Sequence, residues 1–413
     1  MQRPLRICLL SYRSNPHCGG QGVYLNQLSR ALHNLGHHVE VLSGPPDPQL
    51  DVDIPVHRVP SLDLYNPADP FRLPKLHELK ELPNLYEWLH VSTMGFPEPF
   101  LFGGQTYQFL RRNGHRYDVI HDNQSLSYGL WAVSRHLPTL ATIHHPITVD
   151  LKIAVQAENR FWKKLKQLRW YSFIHMQKRV ARTLLHVLTV SGCARDDLCR
   201  DFGIPGERFR IVPNGIDTDI FHPLPDVARE ENRVIVTNSA DTPLKGLIYL
   251  LQAVAELRQR RSIHLVVIGK PKPKGAIARA VRQLDLKPQV TFTGRISHDD
   301  FVREYARARV AVVPSVYEGF GLPAGEAMAC GVPVVATTGG ALPEVVGDAG
   351  VLVPPRDAGA LAAAIEALLD NPAQADAIGK KGYERVQAHF TWQRAAEKTV
   401  SAYREVIDDY RRS

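Results

Sequence analysis

Residues 309–338 read RVAVVPSVYEGFGLPAGEAMACGVPVVATT. Two apolar runs, VAVV and VPVV, bracket a turn and the start of an apolar helix. Neither run alternates polar with apolar residues, so both read as strands covered on two faces. Gly319 and Gly321 turn the chain at the end of the first strand. Pro323 suits the first turn of a helix, where its missing N–H costs nothing. The stretch is one strand–turn–helix–strand unit of a parallel sheet. It also carries two carboxylates eight residues apart, Glu318 before the helix and Glu326 about one turn inside it.

The same unit recurs outward in both directions. LRICLLSY, HVEVLS, YDVIHD, LATIHH and HVLTVS are short strands of the first half. RVIVTNS, IHLVVIG and QVTFTG join the two strands above in the second half. Helical stretches lie between them, such as VYLNQLSRALHNLGH with Gly36 near its stop. The expectation is an α/β protein of two Rossmann-like, doubly wound parallel-sheet domains facing across a cleft. The first covers residues 1–212 and the second 213–390. A helix over 391–413 is expected to pack back towards the first domain. The joint lies near IVPNGIDTDIFHPLPDVAREENR, where periodicity fails. Residues 44–117 are Pro-rich and aromatic and break the pattern. They read as an irregular insertion, either a surface excursion or an acceptor-binding element.

Composition sets the outer bounds. With 413 residues, 44% hydrophobic and 22% charged, the chain is an ordinary globular one of about two domains. No apolar run reaches the ~18 residues of a membrane span. The run ICLL is too short for a signal-peptide core and reads as a first strand. Five scattered cysteines without CxxC spacing fit reduced thiols in a cytoplasm. The net charge of +8 is uneven. Residues 1–212 hold 25 basic against 18 acidic residues, and residues 151–182 hold nine against Glu158 alone. Such asymmetry points to an anionic partner.

Open α/β sheets bind ligands at the carboxyl ends of their strands, and the polar motifs sit there. SNPHCGGQG, residues 14–22, follows the first strand. Gly19, Gly20 and Gly22 let backbone approach a ligand, and the next helix offers free N–H groups to an anion. A tight turn without a ligand also fits. Lys245 opens a helix in the second domain, where it can hold a phosphate or stand solvated. Glu318 and Glu326 suit hydroxyls of two sugar rings, with anion-binding backbone between them. Helix capping and a first-turn acid are the bland alternatives.

Together these stretches resemble the retaining glycosyltransferases of family 4, which have the GT-B architecture. The Glu–seven residues–Glu spacing matches that family's signature at Glu318 and Glu326. CGGQGVYLNQLSRALHNLGHHVEVLS, ATIHH, LTVSGCARDDL, IVPNGIDTDIFHP, PLKGL and the block from Pro314 to Pro355 match it too. The resemblance implies site roles residue by residue. Gly19 and Gly20 would lie near the donor diphosphate and Lys245 would clamp it. His144 would lie beside the transferred sugar, with His145 a second candidate. Glu318 would hold sugar hydroxyls, aided by the backbone of Gly319, Phe320, Gly321 and Leu322. Glu326 would hold the ribose.

One departure stands out. The family commonly has an Arg six residues before the Lys, where this chain has Ser239. Arg295 and Arg13 are candidates to supply the missing charge. The implied activity is transfer of a hexose-type sugar from a nucleoside-diphosphate sugar to a hydroxyl of a glycan or lipid-linked acceptor, in cell-envelope or exopolysaccharide synthesis. Retention by double displacement needs a carboxylate nucleophile, and none is evident. Front-face transfer, with the leaving phosphate taking the acceptor proton, is the expectation. Asp122 would assist or bind acceptor, or simply cap a strand end. No cofactor and no metal are expected. DVD (51–53) and DTD (217–219) fall outside the strand ends and read as structural.

Residues 158–186 interleave Phe161, Trp162, Trp170 and Tyr171 with Arg160, Lys163, Lys164, Lys166 and Arg169. A helix of this kind suits an anionic membrane surface, or a core face with a solvated basic back. No nucleic-acid-binding fold accompanies it. The location expected is cytoplasmic, at most peripheral on the membrane's inner face. Two other readings stay open: another GT-B enzyme, such as an epimerase or phosphorylase, and a non-catalytic nucleotide-sugar-binding protein.

Overall fold

The computed structural model describes residues 3–14, 20–50, 52–64, 69, 72–156, 158–237 and 242–412. Gly19 and Ser239 lie outside the described residues, as does Asp51 of the DVD stretch. The chain divides into two compact units. One comprises Met1–Val190, Ala194–Val212 and Trp392–Ser413, and the other Ser191–Cys193 and Pro213–Thr391.

The first unit is built on seven strands: β1 (Arg6–Ser11), β2 (His38–Ser43), β3 (Val56–Arg58), β4 (Val119–Asn123), β5 (Thr139–Ile143), β6 (Val187–Thr189) and β7 (Phe209–Ile211). They run in the order β3-β2-β1-β4-β5-β6-β7, and every pairing is parallel. β1 shows why these strands do not alternate in polarity. Its Ile7 and Leu9 enter a core with Leu25, Leu28 and Tyr403, while Cys8 and Leu10 enter a separate core with Ile120 and Ala141. Each buried aliphatic side chain contributes about 1.5–3 kcal/mol, so a polar residue on either face would be costly. Leu9→Ala would open a cavity at a cost of about 2–5 kcal/mol.

The last helix, Trp392–Arg412, belongs to this unit. It buries Trp392, Ala395, Ala396, Thr399, Ala402, Tyr403, Val406 and Ile407, a stripe of helical period, and packs on the helix Gly20–Asn34.

The second unit has six strands: β8 (Arg233–Thr237), β9 (His264–Ile268), β10 (Val290–Gly294), β11 (Val310–Val313), β12 (Val334–Thr337) and β13 (Val351–Val353). Their order is β10-β9-β8-β11-β12-β13, again all parallel. Val234, Val236, Val310, Val312 and Val335 share a core with the helices Leu247–Leu257 and Ala358–Asp370.

In each sheet the winding reverses between two central strands, β1 and β4 in the first, β8 and β11 in the second. Sheets of this kind take ligands at such reversal points, outside the carboxyl ends of the strands.

Three elements differ from expectation. Residues 44–117 are not irregular throughout. They supply edge strand β3 and the helices Leu82–Ser92 and Glu98–Asn113, the latter burying Phe102, Thr106 and Leu110. Strands β7 and β13 are also additional, and at three residues each they carry too short a pattern to read. Residues 158–186 are not one helix. Phe161–Trp170 buries no residue, a 3-10 turn follows at Tyr171–Phe173, and Ile174–Ala181 buries Ile174, Met176 and Val180.

Candidate active site

In the second unit the loops after β8 and β11 meet. Gly246 adopts φ +64, and a Cβ there would fall on the carbonyl oxygen of Pro314. Only glycine permits this approach. The backbone confirms the docking, with Val316 N–H donating to the Leu244 carbonyl at 2.8 Å. Lys245, next to Gly246, thus reaches Glu318. Its Nζ donates to Oε1 of Glu318 at 2.7 Å, and Ser315 Oγ donates to the same oxygen at 2.8 Å.

Glu318 is nearly buried, and its second oxygen, Oε2, makes no hydrogen bond among the described residues. The N–H groups of Gly319, Phe320, Gly321 and Leu322 follow, and none has an acceptor among the described residues. They open the helix Leu322–Ala329, whose N-cap Gly321 has φ +108. Phe320 is held by an edge-to-face contact with Phe390 at 5.7 Å. The four N–H groups are aimed by fixed backbone and favour an anion or a ring oxygen.

Glu326 lies half-buried on that helix, and its carboxylate has no hydrogen-bond partner among the described residues. Burial pushes its carboxyl up to about 7, Lys245 opposes the shift, and Glu318 adds to it. A buried carboxylate without a donor is costly to keep, and a ligand hydroxyl would relieve it.

The first unit groups different chemistry. His144 follows β5, and its Nε2 lies 2.8 Å from Asn123 Oδ1 at the end of β4. Its backbone N–H donates to Gln124 Oε1 at 2.8 Å, while Gln124 Nε2 donates to the carbonyl of His145 at 3.2 Å. The Tyr24 ring stands edge-on to His144 at 4.6 Å. Burial lowers the His144 imidazole to about 3, with neighbouring His145 adding to the effect. His145 itself pairs with Asp150 at 2.8 Å.

Asp122 is fully buried and holds the loop that follows β4. Its carboxylate accepts from Ser125 Oγ and from the Leu126 N–H at 2.9 Å. Burial pushes its carboxyl up to about 6, opposed by those same bonds. The strand-end cap is what its geometry provides. Gly20 opens the helix Gly20–Asn34, and Asn123 Nδ2 donates to the Gln21 carbonyl at 3.0 Å.

Of the two cations offered in place of the missing Arg, Arg13 is committed to Glu98, with bonds of 2.6 and 2.9 Å. Arg295 stands exposed after edge strand β10, with no ion pair among the described residues. In DTD, Asp217 Oδ1 accepts from the Asp219 N–H at 3.2 Å, a local turn. Residues the sequence did not single out are Ser315, Asn123 and Gln124. The only signal for the last two was a polar run, DNQS, directly after an apolar strand.

Two parallel α/β units, with acids and a lysine on switch-point loops, form the architecture of the GT-B glycosyltransferases. Comparison with known proteins gives the family. Residues 18–220 match Glycosyltransferase Family 4 and residues 231–371 match Glycosyl transferases group 1. MMP α-(1→4)-mannosyltransferase of Mycolicibacterium hassiacum is 45% identical over 408 residues, covering 98% of each chain. Sucrose-phosphate synthase of Thermosynechococcus elongatus is similar in structure, with TM-score 0.75 and 28% identity over 98% of this chain and 100% of that one. Anabaena HepE, solved with UDP-glucose, shares the fold at TM-score 0.66 and 17% identity, covering 99% and 100%. The chain belongs to glycosyltransferase family 4 and is a glycosyltransferase.

Proposed function

We propose that the chain transfers a hexose, with retention of anomeric configuration and without a metal, from a nucleoside-diphosphate sugar to a hydroxyl of a glycan or lipid-linked acceptor. The carrying observation is Glu326, a half-buried carboxylate with no hydrogen-bond partner among the described residues. It lies close enough to Lys245 and Glu318 to feel both charges. Two ribose hydroxyls would give it donors. Lys245 would turn from Glu318 to the diphosphate, which the free N–H groups of residues 319–322 also favour. Glu318 would then hold hydroxyls of the sugar, and His144 would contact that sugar.

The chemistry follows from what these groups stabilise. As the glycosidic bond breaks, negative charge grows on the leaving phosphate, and a fixed lysine and fixed N–H groups lower that barrier. The acceptor hydroxyl attacks from the same face and gives its proton to the departing phosphate oxygen. No carboxylate nucleophile is invoked. The mannosyltransferase relative supports a mannosyl donor and an α-(1→4) linkage as the first to assay. Cell-envelope or exopolysaccharide glycans are the acceptor class to screen.

A membrane surface is proposed as a further partner. The helix Phe161–Trp170 buries no residue, exposes Phe161 (70%), Trp162 (77%), Leu165 and Leu168, and carries Lys163, Lys164, Lys166 and Arg169. Among the described residues no helix is long and apolar enough to cross a membrane. The attachment would be electrostatic and would fade with salt.

The deciding assay incubates the protein with UDP-, GDP-, ADP- and dTDP-sugars and an acceptor extract in the presence of chelator. Proton NMR of the product reads the new anomeric linkage. The proposal expects one donor to be consumed and its anomeric configuration kept. Inversion, strict dependence on a divalent ion, or donor binding without turnover would each overturn part of it.

A further inference from the structure

The DNQS run after β4 does more than close a loop. Asn123 Nδ2 donates to the Gln21 carbonyl, so its other terminal atom, Oδ1, is an acceptor. Oδ1 faces His144 Nε2 at 2.8 Å, so that nitrogen must carry the proton. His144 Nδ1 has no hydrogen bond among the described residues. Gln124 holds the backbone on both sides, accepting from His144 N–H and donating to the His145 carbonyl.

Gln124 is itself fixed. It is buried at φ +57, a costly conformation for a non-glycine residue. Gln177 Nε2 donates to its carbonyl at 3.2 Å and to that of Ser125 at 3.3 Å. Asp122 clamps the next two residues. Among the described residues, every hydrogen-bond and ring contact of the His144 imidazole and N–H is therefore neutral: an amide, a second amide and the edge of Tyr24. The ionisable groups around it are neighbouring His145, in hydrogen-bond contact with Asp150, and buried Asp122. Beyond Tyr24 lie His121, hydrogen-bonded to Tyr403 at 2.6 Å, and Thr142, whose hydroxyl is hydrogen-bonded to both His121 and Tyr24.

We propose that Asn123 and Gln124 are positioning residues that fix His144 as a neutral imidazole protonated on Nε2, leaving Nδ1 to accept a hydrogen bond from a sugar hydroxyl. His144 then reads a hydroxyl rather than donating a proton or meeting the phosphate as a cation. The role of the accepting nitrogen rests on the proposed sugar site. The position of the proton does not.

The test is long-range ¹H–¹⁵N correlation NMR of the full chain labelled at histidine. His144→Gln identifies the His144 signals among the 18 histidines. In the wild type, Nδ1 is expected at the shift of a bare imidazole nitrogen and Nε2 at that of a protonated one, unchanged from pH 5.5 to 8. A proton on Nδ1, a mixture of tautomers, or titration within that range would overturn the inference. Asn123→Asp places a carboxylate at Nε2 and should bring a titration of His144 into the window. An unmoved signal in that variant would remove Asn123 from the role. Gln124→Ala should lower kcat at least tenfold with little change in donor KM, and Gln124→Glu, which keeps the acceptor for His144 N–H, should recover part of it. Equal rates in wild type and Gln124→Ala would remove Gln124. The NMR readout needs no substrate, so it stands or falls separately from the transfer assay.

Discussion

The switch-point loops of the second unit and the strand-end loops of the first solve different problems with different chemistry. After β8 and β11 stand a lysine, two carboxylates and four N–H groups with no acceptor among the described residues. At the ends of β4 and β5 stand amides, hydroxyls and imidazoles, and burial keeps His121 and His144 neutral. The first set is incomplete without a ligand, because the Glu326 carboxylate has no donor among the described residues. The second is held in place from within, by bonds among Asn123, Gln124, Gln177 and Asp122, and leaves His144 Nδ1 open among the described residues. Charge gathers where a charged ligand would be held, and a preformed neutral frame stands where a hydroxylated ring would be held. One set should therefore gain order and stability on binding, while the other should already have it.

The sharpest way to break this contrast is at Lys245. Lys245→Ala removes the cation that would face the diphosphate, and transfer should fall about 10²–10³-fold. Steady-state kinetics with the active donor would show it. A loss under tenfold would mean that another cation, with exposed Arg295 the first to examine, carries the charge.

Glu326→Gln separates function from stability. The folded carboxyl sits near 7 against 4.5 when unfolded, so the folded state binds the extra proton between those values. Wild-type stability should fall as pH rises from about 4.5 to 7, a loss of up to about 3 kcal/mol that is complete above 7. The amide variant lacks that loss. It should melt higher than wild type at pH 8, as read by calorimetry, while donor binding weakens. A variant that melts lower at pH 8 would place a hidden partner on Glu326.

In the first unit the expected losses come from unmade hydrogen bonds. Gln124→Ala leaves His144 N–H and the His145 carbonyl unpaired and should cost about 1–3 kcal/mol in denaturant unfolding. No change would show that water replaces the amide.

The smallest effect on folding belongs to the exposed helix. Trp162→Ser should shift stability by less than about 0.5 kcal/mol. It should nonetheless reduce co-sedimentation with vesicles containing phosphatidylglycerol, most clearly at low salt. Equal sedimentation of variant and wild type would leave the helix without its proposed partner.

The sequence disclosed the sheets because each central strand is apolar on both faces, a pattern that survives without coordinates. Edge strands β3, β7 and β13 escaped it, since three residues show no period. The helices of 44–117 were hidden behind prolines at their starts, Pro83 and Pro99, which read as breaks but occupy first-turn positions. Residues 158–186 look uniform, yet one half is exposed and the other is core. The pattern could not show that Phe161 and Trp162 stand exposed while Ile174 and Met176 are buried.

Within the candidate site, Glu318 and Glu326 were legible by spacing, and Lys245 only through the family resemblance. Their proximity depends on Gly246 approaching Pro314, which is a long-range contact. The frame around His144 was not legible, because DNQS reads as an ordinary loop until β4 and β5 lie side by side.

The most direct test of the account is thermal stabilisation by a metal-free panel of UDP-, GDP-, ADP- and dTDP-sugars, run on wild type and Glu326→Gln together. At about 100 times its dissociation constant, the true donor should stabilise wild type by about 2.7 kcal/mol. The account predicts that one donor does so and that the response largely disappears in a variant that is itself well folded. A wild type indifferent to every donor, or a variant that responds as strongly as wild type, would contradict it.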